Sequence, residues 1–176
     1  MEGHAPHRAR AAPALLAAGL ILVAINLRPA AASLGPVLGR IESDTGLPSA
    51  WAGALTTLPV LCFGLLAPLA PPLARRLGVR SAIAAAMLVL FGGLLLRLVP
   101  GAGFLFLGTA LAGAAIAVGN VLVPVVVRRD FAGRTGAAMA LYTTSMIAFA
   151  ALAAGVTVPV ADALGGGWRP GLAIWA

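Results

Sequence analysis

An all-α integral membrane protein is the fold class this sequence predicts, and three observations carry the prediction. Of 176 residues, 61% are hydrophobic and only 10% charged, with a mean hydropathy of +1.02, more apolar content than a soluble core of this length hides. Five apolar runs each reach the roughly 20 residues a helix needs to cross a hydrocarbon core of about 30 Å. The 12 basic residues are all arginine, against 5 acids, and they cluster between the runs. A net charge of +7 on a soluble chain points to nucleic acid; placed between apolar runs it records topology, so no nucleic-acid partner is expected. The 22 glycines and 13 prolines lie inside apolar runs, as membrane helices tolerate, rather than in polar low-complexity tracts. A lone cysteine, Cys62, offers neither a disulfide framework nor a thiolate metal site.

Taken in order, residues 1–13 form an expected cytoplasmic tail and 14–176 a single helical bundle, with no linker or second domain. The expected spans are about 14–38, 51–73, 81–99, 104–127 and 135–160, with the start of a sixth at 168–176. The first run resembles a secretory signal, with His4, His7, Arg8 and Arg10 ahead of it and Ala30-Ala31-Ala32 inside it. Arg28 and Pro29 interrupt the cleavage region and apolar sequence resumes through Leu38, so it is read as a retained helix. The stretch from Arg40 to Ser49, about ten residues, is read as an ordinary polar loop. Trp51 and Trp168 open spans where an amphipathic ring suits the headgroup level. Arg97 stands two residues from the end of span 3, where its guanidinium is expected to snorkel outward. In span 4, Gly108 with Ala112 and Gly113 with Ala117 have the spacing that lets helices approach closely, a pattern alanine abundance also produces by chance. Span 6 stops after nine residues, from Trp168 to Ala176, and the chain is expected to be truncated there.

The arginines orient the bundle. Arg8, Arg10, Arg75, Arg76, Arg80, Arg128, Arg129 and Arg134 all fall on one side, which the positive-inside rule makes cytoplasmic, with the N terminus there and the protein multi-pass in the inner (plasma) membrane.

Arg28, in Asn26-Leu27-Arg28-Pro29, lies about 21 Å along span 1, near the midplane. A charge there costs about 2.5–3.5 kcal/mol on insertion scales and normally faces a cavity or a partner. No acid is at membrane depth, because Glu2, Glu42, Asp44, Asp130 and Asp162 fall in the tail or the connections. An anionic ligand, an acid from another segment, or helix carbonyls answer the charge; Pro29 leaves the Ile25 carbonyl without its usual donor. Asn26 is about 200° of helical rotation from Arg28, so only a distortion at Pro29 lets both line one cavity; with Ser33 it also reads as an interhelical hydrogen-bonding residue. Thr109, Gly113, Ile116, Asn120 and Pro124 form a narrow stripe on span 4 that suits a cavity wall and tight packing equally, with Asn120 the leading residue. Tyr142, three residues before Ser145, lines a pathway or bonds across helices, the second being favoured. Catalysis is not expected: both histidines lie in the tail, no span holds paired carboxylates, and there is no Walker-type glycine loop, so no catalytic residue, metal or cofactor is assigned.

The connection Arg75-Arg76-Leu77-Gly78-Val79-Arg80 resembles the signature loop of the major facilitator superfamily. Arg76, Gly78 and Arg80 match that motif, while Pro71, Arg75 and Val79 stand where it has a glycine, an acid and a basic residue. Asn26-Leu27-Arg28-Pro29, Gly35-Pro36, Gly46-Leu47, Thr56-Thr57-Leu58-Pro59-Val60, Arg97 before Pro100, Val123-Pro124 leading to Arg128-Arg129-Asp130-Phe131, and Gly167-Trp168-Arg169 together are similar to the N-terminal half of its cyanate permease branch. The resemblance implies a twelve-span secondary transporter of two six-helix halves, each of inverted three-helix repeats, working by alternating access, with this chain the first half truncated within its sixth helix. It also implies that spans 1 and 4 line the central cavity, making Arg28, Asn120, Asn26 and Tyr142 the substrate-binding candidates, with Arg28 facing a small anion such as cyanate or a drug-like solute. The implied partners are that substrate, the lipid bilayer and the missing C-terminal half. The alternative is a non-transporting membrane subunit or an inactive half-transporter.

Overall fold

The structure, a computed structural model, describes residues 7–165 and 167–176. Among the described residues it is all-helical. Span 1 is α1 (His7–Leu27), α2 (Pro29–Ala32) and α3 (Leu34–Thr45) laid end to end. Span 2 is α4 (Ser49–Leu66), a 3-10 turn at Ala67–Leu69 and α5 (Ala70–Leu77). Then follow α6 (Val79–Leu96), α7 (Ala102–Asp130), α8 (Thr135–Ala163) and α9 (Trp168–Ala173). Five helical stretches, Leu15–Thr45, Ser49–Leu77, Val79–Leu96, Ala102–Asp130 and Thr135–Ala163, are long and apolar enough to cross a membrane. Large apolar side chains such as Leu15, Leu61, Leu65, Leu88 and Ile147 point outward, the surface lipid accepts and water does not. This is the all-α membrane fold that composition predicts.

The stretch from Arg40 to Thr45 is helix rather than loop. Val37 and Ile41 are fully buried, packing with Leu55, Leu105 and Trp168, and that apolar face carries α3 onward until Gly46 ends it. Gly46 has φ 66° and donates its N–H to the Glu42 carbonyl at 2.9 Å, a left-handed stop that glycine adopts without strain. The loop expected from Arg75 to Arg80 likewise shrinks. Arg75 and Arg76 are in the last turn of α5, and Gly78 alone, at φ 83°, separates it from α6. At the other extreme α1 begins at His7, inside the expected tail, while Glu2 and His4 lie outside the described residues.

The spans run alternately up and down. At the Gly78 end, Arg80 Nη2 meets Asp130 Oδ2 at 2.9 Å. At the opposite end, Arg40 pairs with Asp162 at 2.7 Å, and Asp44 Oδ2 accepts hydrogen bonds from Trp168 Nε1 at 2.9 Å and Arg169 Nη1 at 3.2 Å. Trp168 is therefore buried, with the Arg169 guanidinium 4.3 Å above its ring, rather than displayed at headgroup level. Trp51 remains exposed and packs edge-to-face on Phe106 with ring centres 6.0 Å apart.

Helix α7 is the centre of the bundle, the most buried of the spans and packed on α6, α4 and α1. Lipid provides no hydrophobic drive for helix association, so contact depends on how closely backbones come. A Cβ on Gly108 would lie 2.5 Å from the Gly93 carbonyl oxygen of α6. One on Gly113 would lie 2.9 Å from Pro59 Cα of α4, and one on Gly119 2.9 Å from the Leu27 methyls of α1. The Gly108/Ala112 and Gly113 spacing is thus a packing device and not a by-product of composition. Gly108→Ala should lower thermal stability by about 1–3 kcal/mol. Gly92→Ala, where nothing lies within 4 Å, should be neutral or slightly stabilising; thermal unfolding in detergent compares the two.

Candidate functional site

Pro29 has no N–H to give to the Ile25 carbonyl, and the helical ladder is interrupted at Arg28 although its dihedrals, φ −84° and ψ −41°, stay helical. Leu27 and Ala30, three residues apart, share the inward face and pack on Leu90, Leu94, Ala112 and Ile116. Arg28 and Ala31 share the next face and line an open pocket of about 270 Å³ with Pro59, Val60 and Phe63 of α4 and Ile116 and Asn120 of α7. A second pocket of about 380 Å³ shares Arg28, Ala31, Pro59 and Val60 and continues past Thr56 to Leu34 and Gly35. The two form one groove between the kink of span 1, α4 and α7.

Arg28 is exposed into this groove and makes no hydrogen bond or ion pair among the described residues, so helix carbonyls do not answer its charge there. Behind it Tyr142 of α8, only 4% exposed, donates its hydroxyl to Asn120 Oδ1 of α7 at 3.2 Å. Three of the four residues singled out from the sequence, Arg28, Asn120 and Tyr142, therefore converge: Arg28 and Asn120 line one pocket and Tyr142 bonds Asn120. Tyr142 does so by bonding across helices, which leaves its oxygen occupied and orients the amide of Asn120. The span 4 stripe divides by depth: Ile116 and Asn120 face the groove, Gly113 packs on α4, and Thr109 is buried with its hydroxyl on the Leu105 carbonyl at 2.7 Å.

Asn26 is not part of the groove. Its amide Nδ2 donates to the Leu22 carbonyl at 2.7 Å, and it lines a different pocket of about 220 Å³ with Met87, Leu90 and Phe91. Arg28 keeps helical dihedrals, so the distortion in the turn before Pro29 leaves Asn26 and Arg28 on the different faces that helical rotation gives them. Arg75, Arg76, Gly78 and Arg80 of the signature loop sit at the Gly78 end, away from the groove, with Arg80 held by Asp130.

Arg97 departs furthest from expectation. It is 1% exposed and does not snorkel: its Nη1 donates to the Ala30 carbonyl at 2.6 Å. The glycine contact between α6 and α7 explains the direction. At Gly108 the missing Cβ leaves room for the Arg97 stem, whose Cγ stands 3.0 Å from where that Cβ would be. The signal in the sequence was Gly93, one turn before Arg97, facing a helix with Gly108. Phe63, which supplies the groove's aromatic wall, was also missed; it lies one turn beyond Pro59, on the same face.

A guanidinium offers two parallel donors to a carboxylate-like group, Asn120 adds an amide, and Phe63 and Ile116 supply apolar walls. Tyr142→Phe removes one interhelical hydrogen bond and should cost about 0.6 kcal/mol, and at most about 1.7, in thermal stability; the groove should keep its shape.

No family model matches the chain, and no solved structure matches it. The chain is 42% identical over 170 residues to the uncharacterized transporter YycB of Bacillus subtilis (strain 168), covering 97% of this chain and 42% of that protein. It is 40% identical over 158 residues to the 2-nitroimidazole transporter of Escherichia coli (strain K12), covering 90% and 40%. It is 31% identical over 158 residues to the cyanate transport protein CynX of the same organism, covering 89% and 41%. The chain spans about two fifths of the length of these curated relatives. Its homologues are transporters by name, in agreement with the cyanate permease branch of the major facilitator superfamily that its motifs resemble.

Proposed function

We propose that this chain is the N-terminal half of a secondary transporter that moves a small anion such as cyanate, or a small nitro-heterocycle, by alternating access. The observation that carries the reading is Arg28, an uncompensated cation at the kink of span 1, opening into a groove walled by α4 and α7. Membrane-depth charge of this kind is costly and marks a substrate pathway. Facilitator-type transporters hold solute between two helical halves, at interrupted helices near the midplane, and the groove lies on an open face of this bundle. The relatives named for 2-nitroimidazole and cyanate both describe small, flat solutes with electron-rich oxygen or nitrogen atoms, which a guanidinium and an amide suit. In this reading the second half closes the groove, the Gly78 end with its arginines is cytoplasmic in the inner membrane, and the protein is not an enzyme.

The test is Arg28→Ala in the full-length protein, with uptake of 2-nitroimidazole and of cyanate as probes. Loss of a charge-assisted hydrogen bond of about 1.5–3 kcal/mol predicts affinity weakened by about 10- to 100-fold, with Arg28→Lys intermediate. Unchanged affinity for both probes rejects Arg28 as the ligand.

A further inference from the structure

Two arginines meet the same turn of span 1 from opposite sides. Arg28 presents its charge to the groove from the face it shares with Ala31. Arg97 reaches that turn from α6 and binds the backbone of Ala30 on the inward side. We infer that Arg97 is a positioning residue: it fixes the kink at Arg28-Pro29-Ala30 and thereby aims Arg28 into the groove. This rests on the proposed role of the groove for its transport readout, though not for its structural one.

Several observations support it together. The Ala30 carbonyl at 2.6 Å is the hydrogen-bond partner of Arg97 among the described residues, while Nε and Nη2 are buried without one. A buried guanidinium so placed is bound strongly to the acceptor it has, because releasing it leaves a buried cation with no hydrogen-bond acceptor at all. The carbonyl is therefore held one residue beyond Pro29, whose missing N–H leaves the Ile25 carbonyl a turn earlier without its helical donor. The clamp has a built seat. Gly108 makes room for the Arg97 stem, and the Gly93–Gly108 contact holds α6 and α7 at the distance the reach requires. The turn is held from a second direction by Leu27, whose methyls occupy the notch at Gly119. With Leu27 notched and Ala30 clamped, rotation of the intervening turn is blocked, and Arg28 and Ala31 have one direction left to face.

The full-length protein carrying Arg97→Met, Arg97→Lys or Arg97→Gln tests this, in a Cys62→Ala background with Ala31→Cys as a reporter. Ala31 lines the groove, so the alkylation rate of its cysteine reads the kink without any solute. Methionine fills the seat without a donor and should change the alkylation rate about threefold or more and raise KM for 2-nitroimidazole about tenfold, with maximal rate per folded molecule held within about twofold. Lysine restores a charged donor and should return both readouts to within about threefold of the parent. In an Arg28→Ala background Arg97→Met should raise KM no further, since both act through one group. A merely structural role predicts less folded protein at unchanged KM, and that result overturns the inference, as does an effect additive with Arg28→Ala. If Arg97→Met yields no folded protein, Arg97→Gln, which keeps a donor but loses reach, is read the same way; unchanged alkylation overturns the inference. If Arg28→Ala itself leaves KM unchanged the groove reading fails, yet alkylation of the reporter still decides the clamp: altered in Arg97→Met it stands, unaltered it falls.

Discussion

Helix α7 meets its neighbours at separations only glycine permits, and the rest of the bundle is arranged around that constraint. Gly108 touches the Gly93 backbone of α6, Gly113 touches Pro59 and Cys62 of α4, and Gly119 receives Leu27 of α1. Three neighbours are thereby docked along one helix at three successive depths. In water the burial of apolar surface would perform this docking almost irrespective of detail. In lipid, where apolar side chains gain little by leaving the solvent, close backbone approach and the dispersion contacts that come with it take over. The outward faces can then be uniformly apolar, as those of Leu61, Leu65, Leu88 and Ile147 are, without confusing the packing.

The polar residues follow from this framework. Tyr142 finds Asn120 across the α7–α8 contact, and Thr109 and Thr157 return their hydroxyls to their own helices, on the carbonyls of Leu105 and Ala153. Arg97 is folded over Gly108 onto the backbone of span 1. Each is the local answer to the cost of leaving a polar group unpaired in a hydrocarbon surrounding. Arg28 is the exception, a charge that the fold carries to an open groove and leaves unanswered there. Arg97, by contrast, is buried with one hydrogen bond, to the turn beside Arg28, so the two arginines differ in where the fold puts them: one against backbone, the other into the groove.

The fold class was legible because hydropathy and span length are properties of single segments, and the arginine clusters needed no tertiary knowledge. The opposition of Asn26 and Arg28 was likewise legible from helical rotation alone. What escaped depended on a second helix. Residues 40–45 read as a loop because their composition is polar, yet Val37 and Ile41 supply a face that only the packing of Leu55, Leu105 and Trp168 rewards. Trp168 read as a headgroup anchor because Asp44, distant in sequence, was not visible as its partner. Arg97 read as a snorkelling residue because position along a span gives depth but not direction; Gly108, on another helix, sets the direction. Small residues were common enough to look uninformative, and their significance emerged only in pairs.

The central claim is that solute occupies the groove between the kink of span 1, α4 and α7. Val60 lines both parts of that groove and is exposed there, so a cysteine at its position reports occupancy directly. The most direct measurement is the alkylation rate of Val60→Cys in a Cys62→Ala background of the full-length protein, with and without saturating 2-nitroimidazole or cyanate. Protection by at least one of these solutes, lost when Arg28 is replaced by alanine, is the result this account predicts. Equal rates at solute concentrations that saturate transport would contradict it.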